Sequence, residues 1–253
     1  MKKASLTMLS IFTLFLVWVV AYGVVSNDLI LPTPWHVLLA FFSLFTSKAS
    51  LTVILSTLLR LLLSMLAAGL VGFLLGIFAG FHSKLAIFLR PYVTILRTIP
   101  VISVFVIMIV LFGLKTTPYL ITFLMIFPII FQSVYEGIRT IDPEMIDVYR
   151  LEDNHFWTAL RYCYIPFINT PLKTALLQSA GLGVKVLVMA EYLAQTRTSI
   201  GNALYLAKAN LEYDQVFAWT ILLILLAVVI EIFIERYAVL GKKGQNSRKI
   251  SND

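Results

Sequence analysis

The stretch TVILSTLLRLLLSMLAAGLVGFLLGIFAG, residues 52–80, carries one charge, Arg60, in an otherwise apolar run. An α-helix rises 1.5 Å per residue and needs about 20 apolar residues to cross ~30 Å of hydrocarbon, so this run is long enough to span a bilayer. Its second half holds Gly69, Gly72, Gly76 and Gly80, which include GxxxG spacings. Small residues at that spacing let a neighbouring helix approach closely, where lipid supplies no hydrophobic drive for association. A helix-packing role is therefore expected for all four glycines.

The rest of the chain repeats the pattern. With 60% hydrophobic and 13% charged residues and a mean hydropathy of +0.91, it lies outside the range of ordinary soluble domains. Further apolar runs at residues 6–25, 86–112, 117–138, 166–193 and 215–238 complete a predicted set of six transmembrane helices. The expected fold is all-α and polytopic, one membrane domain over residues 1–253. An even number of spans puts both termini on one side. Lys2, Lys3, Lys84, Arg90, Arg139, Arg150, Arg161, Arg236, Lys242, Lys243, Arg248 and Lys249 fall on that side, against Lys48, Lys115, Arg197 and Lys208 on the other. The positive-inside rule then places both termini in the cytoplasm, and the composition reads as that of a polytopic inner-membrane type protein. The first run is read as an uncleaved span rather than a signal peptide, because it is long for an h-region and more spans follow. Topology accounts for the net charge of +7, and no basic groove interleaved with aromatics points to nucleic acid.

Residues 32–46, opening on Pro32-Thr33-Pro34-Trp35, are too short to cross and read as an amphipathic helix in the outer interface, its Trp at headgroup level. Pro91, Pro100 and Pro128 remove backbone donors inside predicted spans and are expected to kink them. Residues 241–253 read as a polar, basic tail, mobile beside anionic lipid. Cys163 with the dispersed His36, His82 and His155 builds neither a disulfide nor a metal framework. GxxxxGK[ST], HExxH and GxSxG patterns are all absent. The chain is thus expected to be no enzyme and to hold no metal or cofactor of its own.

Ionisable residues inside apolar spans are costly and mark pathways or paired sites. Arg60, Arg97 and Lys185, with the helix-bending Pro100 and the acidic Glu191, form the candidate translocation pathway, and its cations favour an anionic or zwitterionic solute. Ordinary alternatives stay open: Lys185 pairs with Glu191 or snorkels, and Arg97 closes a helix near Pro100. Glu191 also keeps a proton-coupled secondary carrier in view.

One segment breaks the apolar pattern. Residues 135–166, YEGIRTIDPEMIDVYRLEDNHFWTALRYCYIP, form a charged island in which Asp142-Pro143 is a helix-start signal. Met145, Ile146 and Tyr149 fall on one face of the predicted helix, and Phe156, Trp157, Leu160 and Tyr164 on one face of a second. Spacing alone leaves two readings, a docking surface for a soluble partner or a solvated charge run.

From Asp147 to Pro166 the segment resembles the cytoplasmic EAA loop of ABC importer permeases, E-A-A-x-x-x-G followed by an apolar residue and Pro. Asp147 takes the Glu position, Val148 and Tyr149 the Ala positions, Asp153 the Gly position, and Trp157 matches the nitrate, sulfonate and taurine branch. Further pieces similar to that branch run in order along the chain: Leu31-Pro32-x-Pro34, Thr57-Leu58-x-Arg60, Arg97-x-Ile99-Pro100, Phe112-Gly113, Phe127-Pro128, Gly137-Ile138-Arg139, Ala190-Glu191 and Ile200-Gly201. The resemblance implies a type I ABC importer permease fold, working as a homodimer with two cytoplasmic ATPase subunits and a periplasmic or lipid-anchored solute-binding protein. ATP and Mg would be bound by the ATPase partner. Residues 141–165 would form the coupling loop, with Asp147, Val148, Tyr149, Arg150, Asp153, Trp157 and Pro166 as its coupling residues. The implied solute is sulfonate, taurine or nitrate-like, with thiamine-type pyrimidines or riboflavin-like compounds as the alternative.

Overall fold

The computed structural model describes residues 2–28, 30–142 and 164–249. These form eight helices: α1 (Lys2–Val25), α2 (Pro34–Thr46), α3 (Lys48–Phe81), α4 (Ser83–Thr98), α5 (Val101–Arg139), α6 (Ile165–Leu193), α7 (Ile200–Ala209) and α8 (Tyr213–Lys249). Five of them, α1, α3, α5, α6 and α8, are long and apolar enough to cross a membrane. Gly113, with φ 74° and ψ 171°, interrupts α5, so the described chain offers five to six apolar segments where six spans are predicted. Their outward faces are studded with exposed Leu, Ile, Val and Phe, as a lipid environment demands.

The core is built by α3, α5 and α6. A Cβ added at Gly72 would lie 3.1 Å from both the Phe127 carbonyl oxygen and the Phe131 nitrogen, at Gly76 2.8 Å from Val134 Cβ, and at Gly80 2.8 Å from Ile138 Cβ. Each turn of α3 meets the next turn of α5 in the same direction, so the two run parallel and touch through backbone. Gly69 stands off this line, with 3.8 Å to Ile130 Cδ1. Three of the four expected packing glycines thus make the close contact, and Gly69 makes an ordinary one. α6 runs antiparallel to α5: Gly137 faces Pro171 near one end and Gly183 faces Ile126 near the other.

The predicted third span, residues 86–112, is not one kinked helix. α4 ends at Thr98, Ile99 is extended, and Pro100 caps a new helix from Val101. Pro100 has no N–H to donate and disfavours helical geometry in the residue before it, which accounts for the break. Pro91, Pro118 and Pro128 by contrast sit within helices, and Gly113 is the one non-helical position inside α5.

α2 falls within the predicted residues 32–46. Thr33 caps it, its hydroxyl accepting from the His36 amide at 3.2 Å, and Ala40 and Leu44 pack against Ile200, Trp219 and Leu222. The opposite face, with Trp35, Leu38, Phe42 and Phe45, is exposed and apolar. Both faces of this helix therefore carry large apolar side chains. α1 meets the bundle where Trp18 stacks on Phe217 at 5.4 Å. The α8 backbone stays helical to Lys249, beyond the predicted span end at residue 238 and through much of the expected mobile tail.

Candidate functional site

Three of the short sequence pieces converge on one buried cluster. Thr57 and Arg60 lie three residues apart on one face of α3. Glu191 sits near the end of α6 with 0% exposure, and Ile200-Gly201 open α7. Arg60 donates to Glu191 Oε1 at 2.9 Å, Thr57 Oγ1 donates to Oε2 at 3.0 Å, and the Gly201 amide donates to Oε2 at 3.3 Å. Thr57 Oγ1 in turn accepts from the Ile200 amide at 3.0 Å. A carboxylate on the first amides of a helix is favoured by their unpaired N–H groups and by the helix dipole.

The same guanidinium reaches into the connection between α6 and α7, donating to the carbonyls of Thr198 at 3.2 Å and Arg197 at 3.3 Å. That connection holds two non-glycine residues with positive φ, Gln195 at 47° and Thr198 at 54°. A β-branched residue in the left-handed region is strained and persists only where neighbours hold it. Arg60, 13% exposed at its side chain, supplies that hold. The cluster is a latch tying α3, α6 and α7 together across the chain.

A second polar feature lies elsewhere. Arg90, Thr94 and Arg97 are exposed along one face of α4 at i, i+4 and i+7. Opposite them α5 presents Gln132, Ser133 and Glu136, with Gln132 Nε2 donating to Glu136 Oε1 at 2.5 Å. α6 adds exposed Thr174 and Gln178, and Lys185 lies seven residues further along that face. Two concavities of about 380 and 390 Å³ open on these groups, and Arg97 and Gln132 border both. Polar groups on the helices of a membrane protein are tolerated where they meet water or another protein surface, not lipid.

The structure therefore divides the predicted pathway residues. Arg97 and Lys185 lie on the exposed polar side, and Pro100 sits exposed between α4 and α5. Arg60 and Glu191 belong to the latch, and Glu191 is sealed from solvent. Lys185 does not hold Glu191; Arg60 does. Arg97 occupies the last turn of α4, where a cation suits the helix dipole. Pro166 lies in the first turn of α6, a position compatible with its missing donor. Asp147, Val148, Tyr149, Arg150, Asp153 and Trp157, together with His155 and Cys163, lie outside the described residues. Sequence reasoning missed α7 altogether, although Ser199 is a recognisable cap whose hydroxyl accepts from the Asn202 amide at 3.1 Å.

A helical membrane protein with an exposed polar face on its bundle is the class this architecture defines. Residues 72–238 match the family of binding-protein-dependent transport system inner membrane components, and the chain belongs to that family of ABC importer permeases. A Bacillus subtilis (strain 168) permease protein, SsuC, named for aliphatic sulfonates transport, is 24% identical over 213 residues, covering 84% of this chain and 76% of that one. Among solved structures, a chain of the MetNI methionine ABC transporter in inward-facing conformations matches with a TM-score of 0.59 and 17% identity, covering 77% of this chain and 98% of its own. That likeness concerns the fold.

Proposed function

We propose that this chain is the membrane subunit through which an ATP-driven importer passes a small anionic or zwitterionic organic solute of the sulfonate type. The observation that carries the reading is the polar face of α4, α5 and α6, where Arg97 borders both concavities. Arg90 borders one of them and Glu136 the other. A cation shared between two cavities along a pathway lowers the barrier to an anion and raises it to a cation. The B. subtilis relative named for sulfonates transport points the same way.

In this reading both termini face the cytoplasm, α2 lies at the outer side, and a second copy of the chain completes the pathway. A solute-binding protein delivers from outside, and two ATPase subunits hold ATP and Mg below. The loop from Asp147 to Pro166 receives their motion: closure of the ATPase pair drags the loops together and tilts the attached helices between two states. Tyr149 and Trp157 supply apolar anchoring, and Asp147 sets register by pairing with an ATPase cation.

Purification from the native host in mild detergent, followed by native mass spectrometry, tests the assembly. Two copies of this chain with two nucleotide-binding subunits are expected, and reconstituted uptake of a radiolabelled aliphatic sulfonate should require ATP. Uptake by this chain alone, lost on Glu191→Gln, would replace the importer with a proton-coupled carrier. Asp147→Lys is expected to abolish uptake while changing stability by no more than about 1 kcal/mol, since an exposed ion pair contributes little to folding. Undiminished uptake by that variant would remove Asp147 from the coupling surface.

A further inference from the structure

A third cavity, of about 430 Å³, lies where the second segment of α5 meets the connection between α6 and α7. Its lining includes Arg60, Lys115, Tyr119, Gln195, Thr196 and Arg197 and, among the described residues, no carboxylate. Glu191 neutralises Arg60 from behind, which leaves the cavity with the charge of Lys115 and Arg197. Thr196 is 8% exposed, and its hydroxyl is buried without a hydrogen-bond partner among the described residues. A buried hydroxyl left unpaired is costly unless something fills the place. The strained backbone at Gln195 and Thr198, held by Arg60, fixes the segment that carries both Thr196 and Arg197.

We infer that this cavity is a binding site for a small oxyanion, separate from the polar face of α4 to α6. Two cations around a pocket that Thr196 and Tyr119 also line match a tetrahedral anionic group such as a sulfonate. Three oxygens accept hydrogen bonds, and the charge offsets the repulsion between Lys115 and Arg197. Gly113, the one non-helical position in α5, sets Lys115 near the start of the helical segment that follows. Under the importer reading the site lies at the outer end of the bundle and gives the solute a first station on this chain. That purpose rests on the proposed function, whereas anion binding itself does not.

The test uses the purified membrane complex in lipid nanodiscs, without binding protein, titrated with radiolabelled methanesulfonate in equilibrium dialysis. Saturable binding is expected, competed by sulfate and not by neutral dimethyl sulfone. Lys115→Gln and Arg197→Gln should each weaken it roughly tenfold, the effect of losing one charge-assisted hydrogen bond. Thr196→Val should weaken it about threefold without lowering the melting temperature, because its hydroxyl has no partner among the described residues to lose. Equal binding of dimethyl sulfone, or parental affinity in all three variants, would overturn the site. Binding that appears only with a solute-binding protein present, and is lost when that protein's carboxylates are made amides, would assign the cations to protein docking and overturn it too. The importer reading fails on different grounds, when no ATPase subunits accompany the chain and uptake is independent of ATP.

Discussion

Glu191→Ala is expected to lower stability by about 3–5 kcal/mol, the usual cost of removing one partner of a buried ion pair. The size follows from what the change leaves behind. Arg60 would stay largely buried without its counter-charge, and the Gly201 amide and the Thr57 hydroxyl would lose their shared acceptor. The strained connection at Gln195 and Thr198 would lose the guanidinium orientation that holds it. Thermal unfolding of the detergent-solubilised protein, followed by loss of the monodisperse peak after heating, reads the effect directly. Arg60→Met combined with Glu191→Met should recover part of the loss, since a paired replacement buries no lone charge. If Glu191→Ala melted like the parent, the latch would carry no structural weight. A proton-relay role predicts a different pattern, in which Glu191→Gln stops transport and leaves melting unchanged.

Gly201→Ala is the second large effect. A Cβ there would lie 2.6 Å from the Val188 carbonyl oxygen and 2.5 Å from Glu191 Cβ, and would also press on the Tyr192 nitrogen. Two of those three neighbours are backbone and cannot swing aside, so α7 must shift and open the Gly201 bond to Glu191. Overpacking of this kind costs about 1–3 kcal/mol or more. Gly76→Ala should follow, pressed against Val134 Cβ at 2.8 Å and the Phe131 carbonyl oxygen at 3.0 Å. Gly69→Ala, with only Ile130 Cδ1 at 3.8 Å, should be neutral or stabilising by up to about 1 kcal/mol through helix propensity. Melting temperatures of the three variants in one detergent give the ranking. An order in which Gly69→Ala is the most damaging would contradict the parallel α3–α5 contact.

The membrane class, the positions of most spans and the family were legible without coordinates. Apolar length is a local property, and a helix satisfies its own backbone, so residues 52–80 announce a span wherever they end up. The glycine-rich half of α3 named its packing face but not its partner, and the expectation took in Gly69, which lies outside the GxxxG spacing and one position off the contact line. Where two local signals competed, the reading failed. The apolar run of residues 86–112 outweighed Pro100 and concealed the end of α4. α7 was lost because ten residues between two long spans carry little periodic signal, although Ser199 marks its start.

What the sequence determined by itself was therefore the kind of protein: a helical inner-membrane permease, with charges too few and too isolated to be accidental. The tertiary structure decided which of those charges belong together. Arg60 and Glu191 are 131 residues apart, and whether they meet depends on the rotation and register of α3 against α6, which close glycine contacts set and no local pattern records. The same packing turns Arg97 toward a polar cavity and leaves Lys185 exposed, separating a structural ion pair from a candidate path. Helicity is written in bonds four residues long, whereas the pairing of charges is written in the fit between helices.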